Sequence, residues 1–282
     1  MKIIEPKVEL WMPQNIVQHV ARCARVCYGK DKGDDNRLYN NLTDNDHLSM
    51  YRHETHYYIV PKDTVTYCIF ENIKTYSFNN IGCDIKLDNN NKCLYVVTNG
   101  QFERKFRGEL VIYGLNMYEV SYDIFKSNDI ANCMCRYTFY ITTQISTSRE
   151  LNRVSPNNIA EQSTRYVELD GQIVRPHWMI INNDGSITSN KYSPEAVDNY
   201  LNGCNRAFNE YKAAINNGML KEDARGILPT DTVTKVVYTY NIDEWKHILD
   251  LRLYNKTGRA HSNAVIIAQM IKNELKQLGY NL

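Results

Sequence analysis

No segment of this 282-residue chain has the make-up of a secretory leader, and no apolar run is long enough to span a bilayer. Net charge is missing too. Basic residues exceed acidic ones by a single unit, so no whole-chain field draws the molecule to nucleic acid. Eight cysteines occur without one Cys-x-x-Cys. Cys23 and Cys27 on an expected helix, and Cys133 and Cys135 on an expected strand, lack partners at zinc-site spacing and read as buried reduced thiols. His53-Glu54-Thr55-His56 does not have the spacing of a zinc-protease helix, so no metal is expected. There is no Gly-x-Gly-x-x-Gly after a strand, no phosphate-binding P-loop and no internal repeat. Any dinucleotide is therefore held by something other than a Rossmann fingerprint. These absences leave a soluble cytoplasmic protein, with neither nucleic acid nor membrane as partner. The heavy use of Tyr, Asn, Lys and Ile fits an AT-rich genome such as a phage's, whose product would act in host cytoplasm.

What is present is ordinary globular composition, 43% hydrophobic and 23% charged, enough for a sizeable core. Helical spacing of Ile16, Val20, Ala24 and Cys27 predicts a helix over Pro13–Cys27, with Gly29 as its C-terminal cap. Residues 30 to 46 read as a polar loop, and a short helix is expected over Asp46–Arg52. Thr64–Phe70, Cys93–Thr98 and Glu109–Tyr113 read as strands between Asn/Gly/Asp turns, a β-rich insertion at about 60–135. Arg136–Thr142 alternates as a half-buried strand, with Tyr137, Phe139 and Ile141 inward and Arg136, Thr138 and Tyr140 outward. A short helix over Ser146–Arg153 follows. Ser193-Pro194 opens a long helix striped by Val197, Leu201, Cys204, Phe208, Tyr211 and Ile215, closed by Gly218. Asn241 and Glu244 start a helix through Leu253, and Ser262–Leu278 forms the last. The class is α/β or α+β without regular strand–helix alternation, so a doubly wound sheet is not indicated.

The densest polar cluster runs from Ser148 to Arg153 and resumes from Glu161 to Tyr166. Arg149 and Arg153 would share a helix face, where like charges repel unless an anion sits between them. The planar fork of Arg suits phosphate. Arg225 and Arg252 are further candidates. Arg252 lies in an apolar helix segment and should point inward, where a buried guanidinium must be paired. A structural ion pair with Asp250 or Glu244 and a bound anion both remain open. Ser163 has no His in its sequence neighbourhood, so it reads as a hydrogen-bonding group rather than a nucleophile.

Taken in order, the blocks resemble the flavin-dependent thymidylate synthases. That family carries Arg-His-Arg, seven residues, then Ser and usually Ser-x-Arg-Tyr; Arg153, Ser163, Arg165 and Tyr166 fall at those positions. Val8-Glu9-Leu10 and Ala24–Tyr28 resemble its first strand and helix, and His53-Glu54-Thr55 its His-Glu-[Ser/Thr] segment. Ala224–Pro229 resembles Ala-Arg-x-x-Leu-Pro; Asn241, Glu244-Trp245, Leu251-Arg252 and Ala260-His261 match the blocks that follow. Thr98-Asn99 resembles a segment of a longer subgroup. The resemblance runs over nearly the whole chain. It implies one domain over 1–282, a mixed, largely antiparallel sheet flanked by helices in the manner of thymidylate synthase-complementing proteins. It also implies FAD as cofactor, methylenetetrahydrofolate and NADPH as co-substrates, dUMP as substrate, and a homotetramer with shared active sites. Carried over residue by residue, it places His53, Thr55, Arg153, Asn241, His247 and His261 at FAD. It places Glu150, Glu161, Ser163, Arg165, Arg225 and Arg252 at dUMP, with Arg252, Ser163 and Arg165 catalytic. By the same resemblance, NADPH reduces FAD, the folate gives its one-carbon unit, and a flavin hydride completes the methyl group.

The sequence departs from the family at one motif. Its His and second Arg are replaced by Val154 and Ser155, and Tyr57 and Tyr58 stand near an expected Glu-His. Three outcomes stay open: reductive methylation of dUMP with a rearranged site, a related modification such as hydroxymethylation or use of dCMP, and nucleotide binding without turnover.

Overall fold

The computed structural model describes residues 1–61, 82–112, 117–155 and 157–282. Twelve strands lie among them. β1 (Lys2–Ile4) and β9 (Gln172–Val174) pair in parallel, and β10 (Ile180–Ile181) and β11 (Ile187–Thr188) form a small hairpin. The central sheet is antiparallel, in the order β2 (Lys7–Trp11), β7 (Arg136–Gln144), β12 (Val233–Asn241), β8 (Ile159–Glu161). A second antiparallel sheet orders β4 (Cys83–Asp88), β5 (Cys93–Thr98), β3 (His56–Pro61) and β6 (Tyr118–Glu119). It occupies the stretch expected to be β-rich. The architecture is thus mixed α/β, largely antiparallel, with helices against the sheets.

The two sheets share one core. Tyr57, Tyr95 and Val97 of the second sheet pack in the same buried cluster as Tyr137, Phe139 and Ile141 of β7 and Tyr238 of β12. The helices Ile242–Arg252 and Ser262–Gln277 close that cluster with Trp245, Ile248, Ile271 and Leu275. Trp245 is the largest side chain inside it. Its ring meets Phe139 edge-on at 5.0 Å, and its indole N–H donates to the Tyr137 carbonyl at 3.2 Å. The helix Ile16–Tyr28 covers the opposite face of the central sheet, and Gly29 caps it in the left-handed conformation (φ 61°).

Several expectations change. Residues 30 to 46 are no loop: Asp34 caps a helix over Asp35–Asp44, whose apolar face consists of little more than Leu38, Tyr39 and Leu42. The turn expected over Asp46–Arg52 is a 3-10 segment, Leu48–His53. The strand expected at 109–113 is overturned by the helix Gly100–Ile112, while Tyr113 and Thr64–Phe70 lie outside the described residues. Cys133 sits in a 3-10 turn and Cys135 just before β7, not on a strand. β7 is buried on both faces over Arg136–Phe139, because β2 and β12 flank it and helices cover it, while the outward Tyr140 and Thr142 stay half-buried as expected of that face. The short helix ends at Leu151, so Arg149 and Arg153 do not share a helical face; Arg153 instead donates back to the Arg149 carbonyl at 3.3 Å. The long helix Pro194–Asn216 begins at its Ser193 cap as expected, and Gly218 follows its end with φ 94°.

Trp245→Ala is expected to cost about 3–5 kcal/mol through lost burial and an unfilled cavity. Ser193→Ala, which removes only a cap on an exposed helix start, should cost about 1 kcal/mol. Urea denaturation read by circular dichroism checks both. The midpoints should fall in that order with unchanged slopes.

Candidate active site

The structure sorts the expected site residues into three groups. The first lies at the end of the helix Ile145–Leu151. Arg252 is 8% exposed and donates from Nε to the Glu150 carbonyl, with the Glu150 carboxylate 3.5 Å away. Neither Asp250 nor Glu244 pairs with it. Asp250 holds Lys256 at 2.7 Å, and Glu244 is committed to its own helix cap. Burial, then the nearby Arg153 charge, lowers the Arg252 pKa against the pull of Glu150. A second guanidinium, Arg153, therefore lies near Arg252, and the Glu150 carboxylate offsets only part of their repulsion. An anion would relieve that repulsion.

The second group is built on the turn after β8. Glu161 accepts hydrogen bonds from the Ser148 hydroxyl at 2.8 Å and the Thr234 hydroxyl at 2.9 Å, which fix one carboxylate oxygen. Ser163 is anchored by its N–H on the Cys27 carbonyl, and its hydroxyl accepts from the Arg165 N–H at 3.2 Å. Exposed Arg165 donates to Glu222 at 2.9 Å, and exposed Arg225 donates to the Thr164 hydroxyl at 3.2 Å. Ser148 lies on the same short helix as Glu150. A polar ridge thus runs from Arg252 through Glu150 and Ser148 to Glu161 and the Ser163–Arg165 turn.

The third group surrounds Arg136, which the strand alternation placed on the wet side. It is buried instead. Its guanidinium donates to the carbonyls of Arg52 (2.7 Å), Glu54 (3.0 Å) and Thr239 (3.3 Å) and to the Thr55 hydroxyl (3.4 Å). His53 Nδ1 lies 2.7 Å from the Thr239 hydroxyl. Burial, then the His19, Arg136 and Arg52 charges, lowers the His53 pKa to about 3, so the ring is neutral. Asn241 accepts from the Glu244 N–H at 2.8 Å and donates to Asp84 of β4 at 3.0 Å. Next to this group is a cavity of about 130 Å³, lined among others by Asp84, Asn99, Arg136, Ser155, Asn158 and Glu244. His247 and His261 are exposed. His261 caps the last helix, accepting from the Asn263 N–H at 3.3 Å.

Arg136, Asp84, Asn158 and Glu244 were missed as site residues. Glu244 carried a signal, its spacing from Asn241, but that spacing spoke only of a helix start. The other three are brought in by tertiary packing. Among the described residues, His53 Nε2 and Asn158 Oδ1 are buried without a hydrogen-bond partner, and both residues bond Thr239 through their other polar atoms. An unpaired buried polar atom costs free energy. The donor–acceptor edge of a flavin ring carries the partners these two atoms lack. The adjacent cavity of about 130 Å³ is smaller than small-molecule sites generally are, so only such an edge has room there. No group of His, Cys, Asp or Glu suited to a metal occurs among the described residues, and no described helix is long and apolar enough to cross a membrane.

Fold and polar groups together define an antiparallel α/β protein with paired guanidinium groups beside fixed carboxylates. The chain belongs to the family described as thymidylate synthase complementing protein, whose sequence model matches residues 133–278, just over half of it. It is similar to flavin-dependent thymidylate synthases. That of Pyrococcus furiosus is 36% identical over 93 residues, 33% of this chain and 36% of the relative. That of Thermococcus onnurineus is 31% identical over 105 residues, 37% and 40% of the two chains, and that of Wolbachia pipientis 26% over 127 residues, 42% and 45%. The chain thus aligns with less than half the length of these relatives. A solved structure of a UMP/dUMP methylase PolB from Streptomyces cacaoi, bound with 5-Br dUMP, aligns over 99% of this chain and 93% of its own at 16% identity and a TM-score of 0.49.

Glu244 gives a testable pH dependence. Burial, then the Asp84 charge, pushes its pKa up to about 7, against the pull of Arg136. The folded value lies above the ordinary 4.5, so the stability a neutral Glu244 contributes is full below about pH 4.5 and lost as pH rises through about 7. Glu244→Gln keeps an acceptor for the Asn241 N–H and cannot ionise. The variant should gain on the parent in urea stability between about pH 5 and pH 8. A difference that stays flat over that range removes the assignment.

Proposed function

We propose that the protein methylates the uracil of dUMP reductively, with FAD as cofactor and methylenetetrahydrofolate and NADPH as co-substrates, as a homotetramer in the cytoplasm. The observation that carries the reading is the ridge from Arg252 and Glu150 to Glu161, Ser163 and Arg165, on a chain of this family. One domain over residues 1–282, with the second sheet as an insertion, goes with it.

The roles follow from chemistry. Arg252, partly freed by its weak contact with Glu150, offers a guanidinium fork to the nucleotide phosphate or to a ring oxygen. Arg165 and Arg225 add two exposed forks, which bind once Glu222 and Thr164 release them. Uracil C5 is a poor nucleophile, so charge developing on the ring must be stabilised. Fixed cations in a water-poor pocket do this well. Glu161, held by two hydroxyls, and Ser163 orient the ring by hydrogen bonds. Arg165 and Arg225 form one pair and Arg153 and Arg252 another; a tetramer with shared sites would bring pairs from different subunits to one nucleotide. Around the cofactor, His53, Thr55 and Asn241 form the wall, with Arg153, His247 and His261 reaching it across subunits. When bound, FAD supplies the redox chemistry, passing reducing equivalents from NADPH to the pyrimidine's new carbon.

A second reading, hydroxymethylation or use of dCMP, draws on one observation. The cavity at Ser155, where the family motif has Arg, presents the carboxyl groups of Asp84 and Glu244. Incubation with FAD, NADPH, methylenetetrahydrofolate and either dUMP or dCMP, followed by mass spectrometry, separates the readings. A methyl increment on dUMP supports the first. A hydroxymethyl increment, or reaction of dCMP alone, supports the second. Protein that neither binds nor is reconstituted by FAD rules out both.

Arg252→Ala is expected to weaken dUMP binding by roughly 2–5 kcal/mol, the range for truncating one side of a partly buried charged contact. Calorimetry checks this, and unchanged affinity takes Arg252 out of the site. Val154→His with Ser155→Arg should tighten FAD, read by flavin fluorescence.

A further inference from the structure

We infer that a hollow beside β2 is a second anion site, separate from the nucleotide site, which takes a small ligand bearing an oligophosphate chain. The hollow has a volume of about 300 Å³, at the lower end of small-molecule sites. Trp11, Arg22, Arg25, Lys30, Tyr140 and Lys235 line it. It lies on the face of the central sheet covered by the helix Ile16–Tyr28. Arg252 ends the helix that packs on the other face, whereas the Gln162–Ser163 turn of the nucleotide ridge borders the hollow through Lys235 and Gly29.

An aromatic face holds one of its cations, Arg22, in place. Trp11 stacks on Tyr140 with ring centres 4.6 Å apart and planes 12° apart. The Arg22 guanidinium lies 3.5 Å from the centre of the Trp11 ring. A guanidinium flat on an indole keeps its edge N–H donors for a ligand, and its position is fixed beforehand. Lys235 rises from β12, where its carbonyl accepts the Gln162 N–H at 2.8 Å. Among the described residues no carboxylate forms an ion pair with Arg22, Lys30 or Lys235. Two carboxylates also line the hollow. Glu9 pairs with Lys7 at 2.6 Å and also feels the Arg22 charge, so Glu9 and Asp31 both oppose an anion there and the cations Arg22, Arg25, Lys30 and Lys235 outnumber them.

The hollow is not closed at its far end. Arg25 and Lys30 also line an open groove of about 570 Å³ that carries Lys32, Arg37 and His47. Arg25 stands at the junction, paired to Asp35 and donating to the Gly33 carbonyl at 3.0 Å. A single phosphate would satisfy only part of this array. A chain of phosphates could engage Arg22 and Lys235 at one end and the Lys30–Lys32 turn at the other.

The test uses inorganic tripolyphosphate and the full chain, by titration calorimetry with and without saturating dUMP. The expected result is one site per chain that survives both saturating dUMP and Arg252→Ala. The Arg22→Gln, Lys235→Gln pair should weaken tripolyphosphate by roughly tenfold or more, as two charge-assisted contacts are lost. Lys30→Glu, at an exposed turn, serves if the pair proves misfolded by circular dichroism, and should weaken binding likewise. No binding, or binding untouched by these changes or displaced by dUMP, overturns the inference. If dUMP itself does not bind, the function proposed above falls, while tripolyphosphate binding that depends on Arg22 and Lys235 still stands.

Discussion

One buried guanidinium holds the centre of this molecule together. Arg136, at the first position of β7, has no carboxylate hydrogen-bonded to it among the described residues. It spends its donors on the carbonyls of Arg52, Glu54 and Thr239 and the hydroxyl of Thr55. A cation taken from water must be compensated, and here the compensation is spread over backbone oxygens from two segments and over the nearby Asp84 and Glu244 charges. The turn at His53–Thr55, the end of β12 and the start of the helix Ile242–Arg252 are thereby fixed relative to one another. Every group assigned to the cofactor wall hangs on that arrangement.

Local signals were read well and distant ones were not. The Asn241–Glu244 cap, the Ser193 cap and the strand Cys93–Thr98 were all legible, because each depends on residues a few positions apart. The helix Asp35–Asp44 was hidden because only Leu38, Tyr39 and Leu42 carry its inner face, and polar composition outvoted them. The run around Leu110 and Val111 looks like a strand by side-chain type, yet the backbone there is helical, as tertiary context overrides propensity. Alternation placed Arg136 outside because it assumes a face that is wet along its whole length, and here only the Tyr140–Thr142 end of that face stays half-buried.

The site shows the same division. That Arg252 points inward was visible from its apolar helix. That Glu150 meets it was not, since the two are 102 positions apart. Likewise Ser148 and Glu161 could be named as polar residues but not joined. The degenerate motif has a physical sequel as well. Ser155 lines the same cavity as Asp84 and Asn99 from the second sheet. Ser155 therefore faces carboxyl and amide groups delivered by the second sheet.

The Asp84–Asn241 hydrogen bond ties the second sheet to one end of the helix whose last residue is Arg252. An α-helix of eleven residues is a stiff rod about 16 Å long. Tilting the sheet would therefore swing the far end of the rod, and with it the guanidinium, by a lever rather than by direct touch. Under the function proposed above, a segment remote from Arg252 would in this way set how firmly the nucleotide is gripped.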